Sequence, residues 1–273
     1  MNQTELKHAV KKYWNKASCG TEFIHQKKFS KAYFEDIENF RYTIEPEIFA
    51  FAQFTRFHGK KMLEVGVGAG TDFTQWVRAG ALAHGIDLTE EAIAHVQHRL
   101  ALYDLKAEEF CVADAEAIPY ENNSFDLVYS WGVIHHSPNT PKCLAEIVRV
   151  TKPGGTIKIM IYNRLSLFAF YQYLSNALLK GKPFRNFKKV LFHHQESLGT
   201  QAFTFKEARV MLDQHPVRIK KLTAPATQHD LLYYKKWPAR TLAYLLACIT
   251  GWNRCGWFMM IELEKLATTN QKT

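Results

Sequence analysis

No uninterrupted apolar run in this 273-residue chain reaches the roughly 18 residues that a membrane-spanning helix needs. The opening MNQTELKHAVKKYW lacks the apolar centre of a secretion signal. The five cysteines, Cys19, Cys111, Cys143, Cys248 and Cys255, form no CxxC pair, which argues against a structural zinc and for a reducing compartment. HExxH is missing, and neither His95 with His98 nor His193 with His194 has a carboxylate pattern beside it, so no metal is expected. Internal repeats and low-complexity tracts are also lacking. Together these absences lead to the expectation of a cytoplasmic protein of one large or one-and-a-half domains.

What is present is an ordinary globular composition, 47% hydrophobic and 22% charged, with a formal net charge of +9. Much of that excess is local: Lys180, Lys182, Arg185, Lys188 and Lys189 occur without an acid among them, beside Phe184, Phe187 and Phe192. A solvated face is the simplest reading, and an anion or membrane patch is the alternative.

Residues 1–58 read as helical with aromatic punctuation, broken at Gly20 and Pro46. From Lys60 short apolar runs alternate with amphipathic segments, the pattern of β-α units and a parallel sheet. Strands are predicted at Lys61–Val65, Leu82–Ile86, Glu109–Val112, Asp126–Ser130 and Thr156–Tyr162. Helices are expected after Thr71, after a capping Thr89 with Ala92, Ile93, Val96 and Leu100 on one face, and through Lys142–Val150, where Lys152-Pro153-Gly154-Gly155 stops the run. Beyond Tyr162, Leu165–Leu179 and Thr204–Leu212 read as helices, Val217–Leu222 and Trp257–Leu263 as an antiparallel strand pair, and the closing ATTNQKT as a frayed tail.

The most informative stretch is Leu63–Asp72, LEVGVGAGTD, which follows a strand and precedes a helix. Open α/β sheets bind ligands at the carboxyl ends of their strands, where glycines let a ligand touch bare main chain. The dinucleotide fingerprint GxGxxG is not met, since its third glycine would fall on Thr71; the spacing is ExGxGxG. Asp87, about 20 residues on, ends the second strand, where a carboxylate can accept both ribose hydroxyls or merely cap the next helix. Asp114 ends the third, where it can accept from an adenine amine or simply form a turn.

In order along the chain, LEVGVGAGTD, GIDLTEEAI, VADAEAIPYENNSFDLVYSWGVIHH and LAEIVRVTKPGGTIKIMIY resemble the class I S-adenosylmethionine-dependent methyltransferases, type 11, in the small-molecule branch similar to quinone-biosynthesis enzymes. The resemblance covers about Lys60 to Tyr162. It implies an α/β, Rossmann-like, doubly wound seven-stranded sheet, mostly parallel with a C-terminal antiparallel hairpin, plus a helical N-terminal cap and a helical lid insertion. The expected divisions are a cap at 1–58, a cofactor-binding core at 59–163, a lid at 164–215 and closing strands at 216–273.

It also implies that Glu64, Gly66, Gly68 and Gly70 hold the methionine part of S-adenosylmethionine, with Thr71 and Asp72 nearby. Asp87 would hold the ribose, Leu88 would pack on the adenine, Asp114 and Ala115 would address its edge, and Ser130 and Trp131 would border the methionine end. The cap pieces YWNKASCGTEF and YFEDIENFRYTIEP give no individual role to Tyr13, Trp14, Tyr33 or Arg41.

A sulfonium already makes its methyl group electrophilic, so alignment and exclusion of water carry most of the chemistry, and a base is needed only where the acceptor loses a proton. His135 and His136 in SWGVIHHSPN are the candidates for that base or for loop hydrogen bonding. Phe168, Phe170, Tyr171, Tyr173 and Leu174 are candidates for an apolar acceptor pocket or for plain core. The leading expectation is methyl transfer to a small-molecule metabolite. A nucleic-acid methyltransferase is disfavoured because SWGV replaces (D/N/S)PP(Y/F) and no RNA-binding module is appended. A non-catalytic partner subunit stays open, as does weak membrane-surface contact through Leu165–Leu179 and the lysines after it.

Overall fold

The computed structural model describes residues 2–16, 18, 20–194, 196–233, 235 and 237–267. Of the expected frayed tail, all but Ala267 lies outside the described residues.

Seven strands, β1 (Lys61–Val65), β2 (Leu82–Asp87), β3 (Glu109–Val112), β4 (Phe125–Trp131), β5 (Thr151–Tyr162), β6 (Val217–Thr223) and β7 (Phe258–Lys265), form one sheet in the order β3-β2-β1-β4-β5-β7-β6. The chain winds outward from β1 to β3 and then returns to the other side of β1, so the direction switches between β1 and β4. The first five strands pair in parallel, and β7 runs antiparallel to both β5 and β6. Residues alternate between the two faces with the strand period: Met62, Leu127 and Tyr129 pack on one side with Phe73 and Trp76, and Leu63, Val65 and Val128 on the other with Leu144 and Ile147.

The helices are α1 (Gln3–Lys16), α2 (Lys31–Ile44), α3 (Glu47–Ala52), α4 (Thr71–Arg78), α5 (Glu90–Leu102), α6 (Thr140–Val150), α7 (Leu167–Asn176), α8 (Phe187–His194), α9 (Phe205–Leu212) and α10 (Trp237–Thr250). Their starts follow local chemistry. Thr89 accepts from the Ala92 amide at the head of α5, Asn139 caps α6 ahead of Pro141, and Thr204 with Glu207 forms a reciprocal capping box on α9.

Three sequence expectations change. Lys152-Pro153-Gly154-Gly155 ends the reach of α6 but is no loop, because β5 already begins at Thr151 and the quartet forms a bulge between the Phe125–Thr151 and Leu127–Thr156 pairings. The late strands pair as expected without a tight hairpin, since residues 224–257 leave the sheet between them and carry α10. Leu165–Leu179 is not one helix: α7 stops at Asn176, a 3-10 turn covers Leu178–Lys180, and of the basic stretch only Lys188 and Lys189 enter the next helix, α8.

Candidate functional site

The glycine loop joins β1 to α4 with Gly66, Gly68 and Gly70 at φ of 86°, 51° and 74°, all in the left-handed region. Two of them answer to the protein's own packing. A Cβ on Gly66 would fall 2.2 Å from Val133 Cγ2, and one on Gly70 3.1 Å from Val96 Cγ2. A Cβ on Gly68 would meet nothing within 4 Å, so Gly68 is the one of the three whose main chain borders open space.

At the tip of β1, the buried Glu64 has an Oε2 atom with no hydrogen-bond partner. Burial, and after it the charge of Asp72, pushes its pKa well above the carboxylate range, with Arg41 opposing. A buried carboxylate oxygen left unpaired is costly, and the group that relieves it is a cation with hydrogens to donate.

Asp87, at the tip of β2, accepts from the Gly68 amide at 3.1 Å through Oδ2 and from the Thr89 amide and hydroxyl at 3.0 and 2.8 Å through Oδ1. It therefore fixes the glycine loop and the head of α5 together. Oδ1 is thereby filled, and Oδ2 keeps lone-pair capacity for a further donor. Burial raises its pKa against these hydrogen bonds. Leu88 beside it is half-buried.

Past β3, Asp114 closes an Asx turn by accepting from the Glu116 amide, 2.9 Å, and receives the Lys7 ammonium of α1 at 2.6 Å. The half-buried Ala115 follows it. The N-terminal helices are thus tied to the strand tips.

The same holds for Thr71 and Asp72, whose side chains serve the cap. Thr71 accepts from Arg99, which also binds Glu38 of α2. Asp72 accepts from Arg41 Nε and Nη2 at 3.0 and 2.7 Å, from Tyr42 at 3.1 Å and from Tyr129 at 3.0 Å. Arg41 continues to Glu45, 3.5 Å away, and Glu45 accepts from the Trp131 indole at 2.8 Å. Trp131 accordingly stands at the end of a chain of contacts that begins at Asp72. Ser130 is buried with an unpartnered Oγ.

The histidine pair after β4 is buried in an acid-base cluster. His136 Nδ1 lies 3.0 Å from Thr200 Oγ1 and 2.9 Å from Ser197 Oγ, and its Nε2 lies 3.2 Å from Glu196 Oε2. Glu196 also accepts from the Tyr162 hydroxyl at 2.9 Å. His135 has two buried ring nitrogens without partners and packs on Tyr162, centroids 3.9 Å apart. Sequence reasoning found the two histidines and missed Glu196, Ser197 and Thr200. The available signal was that Glu196 is the first acid after the lysine-rich stretch.

A cavity of about 650 Å³ borders this cluster, with Leu6, Leu191, Phe203 and Met211 on its walls, Arg164 at its edge and Thr200 facing it. The aromatic residues expected to line an acceptor pocket lie elsewhere. Phe168 packs on Trp257, Tyr173 on Phe187, and Phe170 is exposed.

Residues 63–159 match the family described as methyltransferase domain. Phosphoethanolamine N-methyltransferase 2 of Caenorhabditis elegans is 36% identical over 107 residues, 39% of this chain and only 24% of that longer protein. A phthiotriol/phenolphthiotriol dimycocerosates methyltransferase of Mycobacterium ulcerans is 28% identical over 194 residues, covering 70% of this chain and 68% of its own. Among solved structures, an S-adenosylmethionine-dependent methyltransferase of Mesorhizobium loti shares the fold with a TM-score of 0.57 at 15% identity, over 80% of this chain and 97% of that one.

Proposed function

We propose that the chain transfers a methyl group from S-adenosylmethionine to a small-molecule acceptor by in-line displacement; the match of residues 63–159 to the methyltransferase domain and the shared fold support this reading. When bound, S-adenosylmethionine supplies an electrophilic methyl group on a sulfonium. Glu64 carries this reading, because its buried, unpartnered Oε2 is suited to an ammonium such as that of the methionine part.

Around it, Gly68 would offer open main chain, Asp87 would accept from a ribose hydroxyl through Oδ2, Leu88 would cover one side of the adenine, and Asp114 with Ala115 would meet its edge. The helices α1 and α2, fastened through Lys7 and Arg41, would keep water from the site. Ser130 and Trp131 would border the methionine end. His136 backed by Glu196 would take a proton from an acceptor that must lose one, and Thr200 links that base to the 650 Å³ cavity proposed to admit the acceptor.

Calorimetry tests this with S-adenosylmethionine and S-adenosylhomocysteine on the full chain. Both bind, and Asp87→Ala weakens each by roughly 10- to 100-fold, the value of a hydrogen bond to a charged group. Absence of binding by either compound overturns the proposal.

A further inference from the structure

The charge of the chain is unevenly placed. Segments 164–195 and 231–261 hold ten of the 35 Lys and Arg residues and none of the 26 Asp and Glu. The remainder, with 25 basic and 26 acidic residues, is slightly negative. All of the positive excess therefore belongs to these two segments.

The second segment carries a helix, α10, whose large apolar side chains point the wrong way for a core, and the first exposes Phe170 of α7 and large apolar side chains in the turns that follow it. In α10 the small Ala243 and Ala247 are buried, while Trp237 is 75%, Leu245 54% and Ile249 81% exposed. In α7 Ala169 is buried and Phe170 is exposed, and the turns after it leave Leu179 74% exposed and Phe184 wholly in solvent. The two helices are neighbours: α7 packs against α10, and the Lys235 ammonium sits 5.3 Å over the Tyr171 ring. Outside the segment bearing α10, Arg185 and Lys182 flank Phe184; within it, Arg240 lies over the Tyr233 ring.

We propose that this α7–α10 face docks on an anionic lipid bilayer, with the outward Trp, Leu, Ile and Phe side chains entering the acyl boundary and the lysines and arginines meeting the head groups. Charge complementarity selects that occupant. A second copy of the chain would bring two such positively charged surfaces against each other, although Glu207 already pairs with Arg164 and Lys188. A nucleic acid would answer the charge but leave Leu245, Ile249 and Leu179 against phosphate and water. An acidic bilayer answers both the charge and the apolar surface. Among the described residues no helix is long and apolar enough to cross a membrane, so the face lies on the surface and does not span it. The surface goes beyond the proposed methyl transfer and does not depend on it.

Vesicle co-sedimentation of the full chain is the test. It sediments with vesicles of phosphatidylglycerol mixed with phosphatidylcholine and stays in solution with phosphatidylcholine alone. Salt releases it, since each basic residue near an anionic surface contributes about fivefold to the partition. Trp237→Ser combined with Ile249→Ser lowers the partition more than about tenfold by removing apolar area, and Lys182→Glu combined with Arg185→Glu does so by removing charge. Both variants keep the circular-dichroism melting curve and the S-adenosylhomocysteine affinity of the parent. Failure to sediment with the anionic vesicles at low salt overturns the proposal. So does a dimer in sedimentation velocity that the apolar substitutions abolish while vesicle binding is absent, which would assign the face to a second copy. Loss of cofactor binding with vesicle binding intact would count against the methyltransferase proposal alone.

Discussion

Lys7 of α1 bridges two acids beyond β3, with its Nζ 2.6 Å from Asp114 Oδ2 and 2.7 Å from Glu116 Oε2. The carboxylate proposed for the adenine edge is therefore also the anchor of the first helix. Because the Lys7 and Asp114 side chains are 29% and 33% exposed, solvent screens the pair and its contribution to stability stays below about 1 kcal/mol. Lys7→Ala should lower the Tm by no more than about 4 °C yet speed release of S-adenosylhomocysteine about fivefold, the kinetic equivalent of that energy, as α1 loosens. Stopped-flow release experiments measure it; an unchanged rate would show that α1 does not strap the site.

Asp72 gives a larger effect. Its carboxylate is the meeting point of Arg41, Tyr42 and Tyr129, so Asp72→Ala leaves a guanidinium without its main partner. The Arg41 side chain is 21% exposed, which places the cost near the lower end for a broken buried pair, about 3 kcal/mol. The double variant Arg41→Met, Asp72→Leu should recover part of this, because no buried charge is then stranded. Urea unfolding midpoints of the two proteins decide the matter, and equal destabilisation would mean that the ion pair is not the cause.

Glu64 should couple pH to stability and, on the proposed function, to ligand binding. Its pKa is raised by burial and then by Asp72, so the folded chain keeps a proton that the unfolded chain releases near the ordinary value of 4.5. In that window the native state binds more protons, and its stability falls as pH rises from 4.5 towards the elevated value. Glu64→Gln should remove this fall and make the cofactor-free protein more stable at neutral pH. Binding an ammonium needs the ionised carboxylate, so wild-type protein should release a proton on binding S-adenosylmethionine, while the variant binds more weakly and releases none. Calorimetry in buffers of different ionisation enthalpy reads the proton directly, and identical values for the two proteins would remove Glu64 from the ligand contact.

The strands around this site were legible because each obeys a local rule. Val65 to Gly66 marks the change from apolar run to loop, Asp87 ends the second apolar run as the last residue of β2, and β1 to β5 follow the alternation of apolar runs with amphipathic helices. By contrast, α10 escaped notice because its large apolar residues face outward and its alanines inward, which inverts the pattern that identifies a core-facing helix. Contacts between Arg41 and Asp72 or Lys7 and Asp114 join residues 31 and 107 positions apart, and no local spacing rule encodes them. The motif singles out Asp72, while its partners Arg41 and Tyr42 come from α2, which lies against α4.

The two adjacent histidines have opposite environments. Thr200 donates its hydroxyl proton to the Ser197 carbonyl at 2.7 Å, and Thr200 Oγ1 and Ser197 Oγ lie 3.0 and 2.9 Å from His136 Nδ1. The other ring nitrogen, His136 Nε2, lies 3.2 Å from Glu196 Oε2. Burial would raise the pKa of Glu196, but His136 and then Tyr162 hold it below the ordinary carboxylate value, so the negative charge is kept beside that nitrogen. His135 has no such support: burial, and then His136, push its pKa well below the usual imidazole range, and it stays neutral as a ring packed on Tyr162. For an acceptor that must lose a proton, His136→Phe and Glu196→Gln should each lower kcat by about 100-fold and leave S-adenosylhomocysteine affinity unchanged. His135→Phe keeps ring packing and loses no hydrogen bond, so it should cost less than about 1.5 kcal/mol in stability and leave kcat within a few-fold. Product formation from a small-molecule extract of the host, followed with a labelled methyl group, compares the three; a silent His136→Phe alongside an inactive His135→Phe would reverse the assignment.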